Sequence, residues 1–231
     1  MTKVLIVLSA ADRWTRADGS TTESGVWAEE FIVMDEKLVA AGFQIDLATP
    51  GGVAPTIDAR SLSPKIIGQE HADHYRDYLA RNGERLRKPL ILSDVDASLY
   101  DAIVVPGGHG PVEDLYKDPD MGRILVQASQ ASKVIASVCH GPAAFLAAED
   151  DNGRWPFAGR RMTAFSDEEE EDFGTAAVSS WLLADSLRKR GAVYEKGPNW
   201  GAFIVKDGNL LTGQNPASTA MLADAVIEAL R

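Results

Sequence analysis

The chain has a single cysteine, Cys139, among 231 residues. One cysteine excludes an intramolecular disulfide and any metal cluster built on several cysteines. The four histidines are also few for a metal-dependent mechanism. A lone thiol stays reduced in the cytoplasm, which is the compartment that we expect for this protein.

Long hydrophobic runs and an excess of positive charge are missing as well. The apolar run at 4–8 is too short for a signal peptide or a membrane span, so we interpret it as a buried first strand. The formal net charge of -11 argues against binding to nucleic acid or to an anionic membrane through bulk electrostatics. The largest basic cluster, 188–190, lies at a predicted helix end, where its charge interacts favourably with the helix dipole.

Repeats, low-complexity tracts and Pro/Gly/Ser-rich linkers are absent, and 45% of the residues are apolar. The length suits one large α/β domain or two small ones. Because no linker divides the chain, we predict a single domain over 1–231. Short apolar runs alternate with helical patterns, which predicts a parallel sheet that is covered by helices on both faces.

The periodicity and the turn residues locate individual elements. We predict strands at 4–9, 44–48, 102–105, 134–138, 162–165 and 193–194. A late hairpin is predicted at 203–206 and 209–212, because Asp207-Gly208 is a strong hairpin signal. Helices are predicted at 26–41, 178–190 and 216–230, the last with Asn215 as its N-cap. The charged segment 66–87 is interpreted as a helical insertion between the second and third strands of the main sheet.

The most informative segment, 134–146, is typical of a buried strand, a sharp turn and a helix that begins near Pro142. A reactive residue at such a turn projects from the edge of the sheet. Cys139 would also lie near a helix N-terminus, where the positive end of the dipole lowers the pKa of a thiol. The alternative is that Cys139 is a small buried hydrophobe. Its place beside His140 at this junction favours a nucleophile.

A second loop, 106–111, also follows an apolar strand. Ligands of open parallel sheets bind beyond the carboxyl ends of the strands, so this loop should face the same crevice as Cys139. The backbone N–H groups of Gly107 and Gly108 could stabilise a developing oxyanion there.

The helix predicted at 26–41 carries an acidic residue on its apolar stripe. The stripe consists of Trp27, Phe31, Met34, Leu38 and Ala41. Glu30 follows Trp27 by three positions and precedes Met34 by four, so it lies on this stripe. An inward carboxyl should be protonated or tightly paired. Periodicity alone leaves open whether Glu30 points inward or is a solvated rim residue.

Five motifs in order resemble those of the ThiJ/PfpI superfamily: 24–30, 48–52, 106–110, 136–142 and 211–218. The resemblance runs through essentially the whole chain. It implies the class I glutamine amidotransferase-like fold, a flavodoxin-like three-layer α/β/α sandwich with a mostly parallel central sheet. It also implies a homodimer.

Within the superfamily, the chain is most similar to the glyoxalase III and heat-shock chaperone branch. The resemblance implies that Cys139 is the nucleophile, that His140 is its base and that Glu30 is an acid/base. The third triad member should fall in the acidic run 167–172, where Glu170 matches best although several acids are candidates. Gly107, Gly108 and His140 would form the oxyanion hole. The implied reaction converts a 2-oxoaldehyde such as methylglyoxal to a 2-hydroxy acid without cofactor or metal.

Other functions are compatible with the same residues. A PfpI-type cysteine peptidase or amidase would use the same Cys139 and His140 for hydrolysis, and a holdase chaperone would need an exposed apolar patch. A glutaminase is disfavoured because no downstream His-x-Glu pair is found. His71 and His74 are three residues apart on a predicted helix and could hold a metal, but surface histidines on an acidic helix are far commoner.

Overall fold

The computed structural model describes residues 1–231 and is built around a seven-stranded sheet of order β10–β11–β7–β6–β1–β4–β5. All neighbours in this sheet are parallel except β10 and β11, which form an antiparallel hairpin. Two further pairs, β2–β3 and β8–β9, lie outside it. The strands are β1 Lys3–Val7, β2 Arg13–Thr15, β3 Thr21–Glu23, β4 Gln44–Thr49, β5 Leu90–Ile91, β6 Ala102–Val105, β7 Val134–Val138, β8 Arg161–Met162, β9 Val193–Tyr194, β10 Ile204–Asp207 and β11 Leu210–Gly213.

Eight α-helices and several 3₁₀ turns complete the fold. The α-helices are α1 Ala28–Ala40, α2 Pro64–Ile67, α3 Gln69–Arg81, α4 Gly83–Leu86, α5 Pro119–Gln130, α6 Asp167–Phe173, α7 Leu183–Lys189 and α8 Thr219–Ala229. Buried residues of α1, α3 and α8 pack on one face of the sheet, and those of α5 and α7 pack on the other. The predicted α/β sandwich is therefore confirmed.

The first strand shows why the central strands are apolar throughout. Val4 and Ile6 belong to the core on the α1 side, whereas Leu5 and Val7 belong to the opposite core. A strand that is covered on both faces needs apolar residues at consecutive positions. The same reasoning applies to β6 and β7, in which every residue is buried.

Several predicted elements differ from the structure. The strand predicted at 162–165 is only Arg161–Met162, and it pairs with β9 outside the main sheet. The reason is that the following backbone bonds elsewhere: Thr163 N–H donates to the Thr212 hydroxyl, and Phe165 N–H donates to the Cys139 carbonyl. Helix α7 begins at Leu183 instead of 178, and the helix after Cys139 is a 3₁₀ helix, Gly141–Ala147. The β2–β3 hairpin and β5 were not predicted.

The insertion predicted at 66–87 consists of α2, α3 and α4. It is fixed to α1 by Asp35, a buried carboxylate that accepts two hydrogen bonds from Arg85, at 2.8 and 2.7 Å. The Tyr78 hydroxyl donates to the same carboxylate. No helix of the structure is long and apolar enough to cross a membrane.

Candidate active site

Cys139 occupies a sharp turn directly after β7, at the carboxyl edge of the sheet. Its φ of 58° lies in the left-handed region, which a residue with a side chain rarely adopts. Hydrogen bonds on both sides hold this turn: Cys139 N–H donates to Gly213 O at 3.0 Å, and its carbonyl accepts from Phe165 N–H at 2.8 Å. Such strain persists only where the surrounding structure determines the conformation, and it concentrates at functional sites.

A histidine and a carboxylate form a chain of contacts from the thiol. The His140 Nδ1 lies 3.4 Å from the Cys139 Sγ, and the His140 Nε2 lies 2.6 Å from the Glu170 Oε1. All three side chains are buried. The second oxygen of Glu170 accepts a hydrogen bond from the Thr175 hydroxyl. This arrangement fixes both the position and the orientation of the imidazole.

Glu170 is the acid of the run 167–172 that contacts His140. The run forms α6, and the Ser166 side chain caps that helix in a capping box with Glu169. Helical geometry turns Glu170 toward His140, while its neighbours bind elsewhere: Asp167 to Arg188, Glu168 to Lys196 and Asp172 to Asn199. Six successive acids could not be distinguished by sequence, but in the helix only Glu170 contacts His140.

The charge of Glu170 is set by competing effects. Burial raises its pKa, but the charge of His140 and the hydrogen bond from His140 outweigh burial and hold the pKa of Glu170 well below the usual range of a carboxyl. Glu170 is therefore a carboxylate at working pH.

Glu30 points into the interior, with no exposed surface. Its Oε2 accepts a hydrogen bond from Gly107 N–H at 2.6 Å, and its carboxyl group lies against the Cys139 thiol. Burial raises the pKa of Glu30 to about 8, so the carboxyl is protonated at neutral pH.

The pKa of the Cys139 thiol is raised, whereas the sequence analysis predicted that it would be lowered. Burial and the charge of Glu30 raise the pKa of Cys139, although a hydrogen bond from Gly108 N–H acts in the opposite direction. The prediction that a helix dipole lowers the pKa of the Cys139 thiol is therefore wrong. The turn leads into a buried 3₁₀ helix, and the thiol faces the carboxyl group of Glu30. Both members of the Cys139–Glu30 pair are therefore protonated at neutral pH, and once the pair has lost one proton near pH 8, either member can hold the remaining one.

One of the three predicted oxyanion donors, Gly107, is not available to a substrate. Gly107 was expected to be a donor, but its N–H is already bonded to Glu30. Gly108 N–H is directed at the Cys139 sulfur, with a φ of 85° at Gly108. The His140 N–H is not engaged by another group of the chain. Gly108 and His140 are therefore the two backbone donors that are placed to bind an oxyanion beside Cys139.

His109, which the sequence reasoning did not select, belongs to the site. Its ring lies between Trp14 and His140, with centroid distances of 4.7 and 4.4 Å. Burial and the charge of His140 lower its pKa to about 4, so the ring is neutral at working pH. Its Nε2 has no hydrogen-bond partner in the chain and lies 3.9 Å from the Glu170 Oε2. Its place directly after the two glycines of the loop was the available signal.

Histidines occur in two places where they could bind a metal ion, at the candidate site and in the insertion. One atom each from His109, His140 and Glu170 lies within 4.8 Å of the others, which could suit a metal ion. A metal there would have to replace the 2.6 Å contact between His140 and Glu170, so we interpret the group as a catalytic triad with an added histidine. In the insertion, His74 pairs with Glu36 at 3.0 Å and His71 stacks on Tyr75.

A cavity of about 240 Å³ opens above these groups. Cys139, His140, His109 and Gly108 line its base. Its walls are apolar and include aromatic rings from separate parts of the chain, among them Trp27, Phe173 and Trp200. The structure therefore brings the thiol, its acid/base partners and two oxyanion donors to the floor of one pocket.

Known proteins resemble this chain over most of its length. The chain is 29% identical to glyoxalase 3 of Candida albicans, over 99% of this chain and 98% of that protein. It is 30% identical to the protein/nucleic acid deglycase HchA of Escherichia coli O7:K1, over 92% of this chain and 75% of that protein. The crystal structure of the 24 kDa Rapid Encystment Protein from Francisella tularensis superimposes with a TM-score of 0.90 at 29% identity, covering 100% of both chains. Residues 21–229 match the model of the DJ-1/PfpI family, and the chain belongs to that family.

Proposed function

We propose that this protein is a glutathione-independent glyoxalase, which converts a 2-oxoaldehyde and water to a 2-hydroxy acid without a cofactor. The observation that carries the proposal is the position of Cys139 between two proton-transfer groups, Glu30 and His140, beside the backbone N–H groups of Gly108 and His140, which bond to no other backbone group. The similarity to glyoxalase 3 over nearly the full length of both chains supports it.

The first step is addition of the thiol to the aldehyde. The reactive form is the Cys139–Glu30 pair that has lost one proton and holds a thiol beside a carboxylate. The Cys139 sulfur forms a bond to the aldehyde carbon, and the proton of the thiol passes to the Glu30 carboxylate or to His140. The aldehyde oxygen becomes an oxyanion, which Gly108 N–H and His140 N–H stabilise. The product of this step is a hemithioacetal.

The second step moves hydrogen between adjacent carbons. A base removes the proton from the former aldehyde carbon, and the electron pair generates an enediolate with the neighbouring ketone. Protonation of the neighbouring carbon then gives a 2-hydroxy thioester, so one carbon is oxidised and the other is reduced with no external oxidant. Glu30 is suited to this transfer because a carboxyl with a pKa of about 8 can both accept and donate a proton near neutral pH.

The third step is hydrolysis of the thioester. Water attacks the thioester carbon, the bond to sulfur breaks, and the sulfur regains a proton as the 2-hydroxy acid leaves. His140 is held by Glu170 in an orientation that suits it as the base for this water. His109 is a second group with a free ring nitrogen at the same place.

A PfpI-type peptidase or amidase would use the same nucleophile and is the second candidate, and the chain is also similar to the protein/nucleic acid deglycase HchA. The glyoxalase proposal is preferred because the chain spans 98% of glyoxalase 3 but 75% of HchA. A quarter of HchA has no counterpart here.

The test is turnover of methylglyoxal by the wild type and by Cys139→Ala, with lactate measured as the product. Removing the nucleophile should lower kcat by about 10³-fold or more. His74→Ala, which changes an exposed histidine of the insertion, is the matched control and should keep wild-type activity. Turnover of small amides without turnover of any 2-oxoaldehyde would assign the site to the hydrolase alternative.

A further inference from the structure

The walls of the cavity are far more apolar than a three-carbon substrate requires. The walls above the polar floor consist of apolar side chains: Trp27, Phe165, Phe173 and Trp200, with Ile66 and Ile67 from the insertion. Methylglyoxal would place a single methyl group against these walls. A cavity of about 240 Å³ with aromatic sides would then stay mostly unfilled.

Trp200 is held over this cavity in a strained conformation. Its φ of 61° is unfavourable for a residue with a bulky side chain. Its indole N–H donates to the Asp172 Oδ2 at 3.2 Å, and its ring meets Phe165 edge-on at 5.5 Å. Nevertheless, 44% of its surface is exposed. The strain is therefore not explained by burial of Trp200 in the core.

A buried carboxylate fixes the backbone at this position. Glu169 has no exposed surface, and its Oε1 accepts hydrogen bonds from Trp200 N–H at 2.8 Å, Gln214 Nε2 at 3.0 Å and Asn215 Nδ2 at 2.8 Å. Its Oε2 accepts from the N–H and hydroxyl groups of Ser166, each at 3.0 Å. Glu169 makes no hydrogen bond to Cys139 or His140. Its contacts instead join the Trp200 loop to α6 and to the segment after β11.

The carboxylate in the cavity wall also favours a neutral substrate group over an anionic one. Glu29 is the carboxylate in its wall, and burial raises the pKa of that group. An anionic substrate group would be repelled by Glu29 in its charged form and would leave its own charge poorly solvated among the aromatic rings. A neutral apolar group instead gains contact with Trp200 and Phe173.

We infer that the preferred substrates are 2-oxoaldehydes that carry a bulky apolar or aryl group, and that Trp200 is a specificity-determining residue that contacts this group. The inference rests on the proposed glyoxalase function. The oxoaldehyde end would react at Cys139, while the side group would lie between Trp200 and Phe173. Replacing methyl by phenyl adds five carbons to the buried group, and a single methylene in an apolar pocket already changes kcat/KM by about tenfold or more.

The experiment compares kcat/KM for methylglyoxal and phenylglyoxal. The wild type should favour phenylglyoxal by about tenfold or more. Trp200→Gly should lower kcat/KM for phenylglyoxal by about tenfold, mainly through KM, and change methylglyoxal by less than about threefold. Glycine tolerates the positive φ, so this variant should fold. Trp200→Phe should restore the preference, and Trp181→Ala, which changes a tryptophan that does not line the cavity, should leave it unchanged.

The outcomes separate the two proposals. Turnover of both substrates with a preference for methylglyoxal, or with none, overturns the specificity inference and leaves the glyoxalase function standing. An equal loss for both substrates in Trp200→Gly overturns the role of Trp200. Failure of the wild type to turn over either substrate overturns the proposed function itself.

Discussion

At the residue scale, the central feature is the pair formed by Cys139 and Glu30. Both groups are buried, and burial raises the pKa of each. In such a pair the proton belongs to both groups, because placing two negative charges side by side in a site of low dielectric is unfavourable. The structure therefore keeps a proton next to Cys139, and the proposed transfer of hydrogen between adjacent carbons requires such a proton.

Glu30→Gln tests this shared proton. In the wild type, kcat/KM should rise with pH through about 8, because the pair must lose a proton to reach its reactive form. The variant should lose this rise and about 10²-fold or more of the activity, since Gln cannot transfer a proton. Glu36→Gln on the same helix is the control. A wild-type profile that is flat between pH 6 and pH 9 would contradict the assignment.

The same substitution has a predictable effect on stability. The folded-state pKa of Glu30, about 8, lies above its ordinary value of 4.5, so the free energy of unfolding should fall as pH rises from about 4.5 to about 8 and level off above it. Glu30→Gln should remove that part of the fall. Denaturant titrations of both proteins at pH 6 and pH 9 would measure the difference.

At the element scale, the candidate active site is built from the two loops that follow β6 and β7. Neighbouring parallel strands end at the same edge, so Gly107–Gly108 and Cys139–His140 come together. Close packing at this edge requires glycine. A Cβ at Gly108 would lie 2.2 Å from the Gly25 carbonyl oxygen, and one at Gly141 would lie 2.2 Å from the Val105 carbonyl oxygen.

Gly108→Ala and Gly42→Ala form a matched pair that separates backbone strain from this close packing. Their φ angles are 85° and 86°, but a Cβ at Gly42 meets nothing within 4 Å. Gly42→Ala should cost about 1–2 kcal/mol of unfolding free energy for the left-handed conformation. Gly108→Ala should cost about 1–3 kcal/mol more for overpacking and should abolish activity. Equal losses in chemical denaturation would show that the space around Gly108 does not matter.

At the scale of the whole molecule, the insertion connects stability to the site. Helix α3 packs against α1, which carries Glu30, and α2 contributes Ile66 and Ile67 to the cavity. Asp35 and Arg85 join the insertion to α1. Their ion pair is therefore expected to affect both folding and the shape of the pocket.

Arg85→Met should lower the free energy of unfolding by about 3–5 kcal/mol, because it leaves Asp35 buried without its cationic partner. KM should rise as the insertion loosens. Arg87→Met, which changes an exposed arginine two residues away, is the control. Adding Asp35→Asn to Arg85→Met should recover part of the loss, since no buried charge then remains. Urea denaturation would detect each change, and a wild-type midpoint for Arg85→Met would refute the anchoring role.

The local sequence pattern predicted the α/β class, most of the main strands, the insertion and the order of the motifs. It could do so because burial on two faces and turn chemistry depend on residues that are neighbours in the sequence. Single-domain organisation, a homodimer and a cytoplasmic location stay predictions. Long-range packing decided the rest. It directed Gly107 N–H to Glu30, turned Glu170 toward His140, brought His109 into the site and placed Trp200 over the cavity. These outcomes depend on hydrogen bonds and desolvation between segments far apart in the chain, which no local pattern specifies.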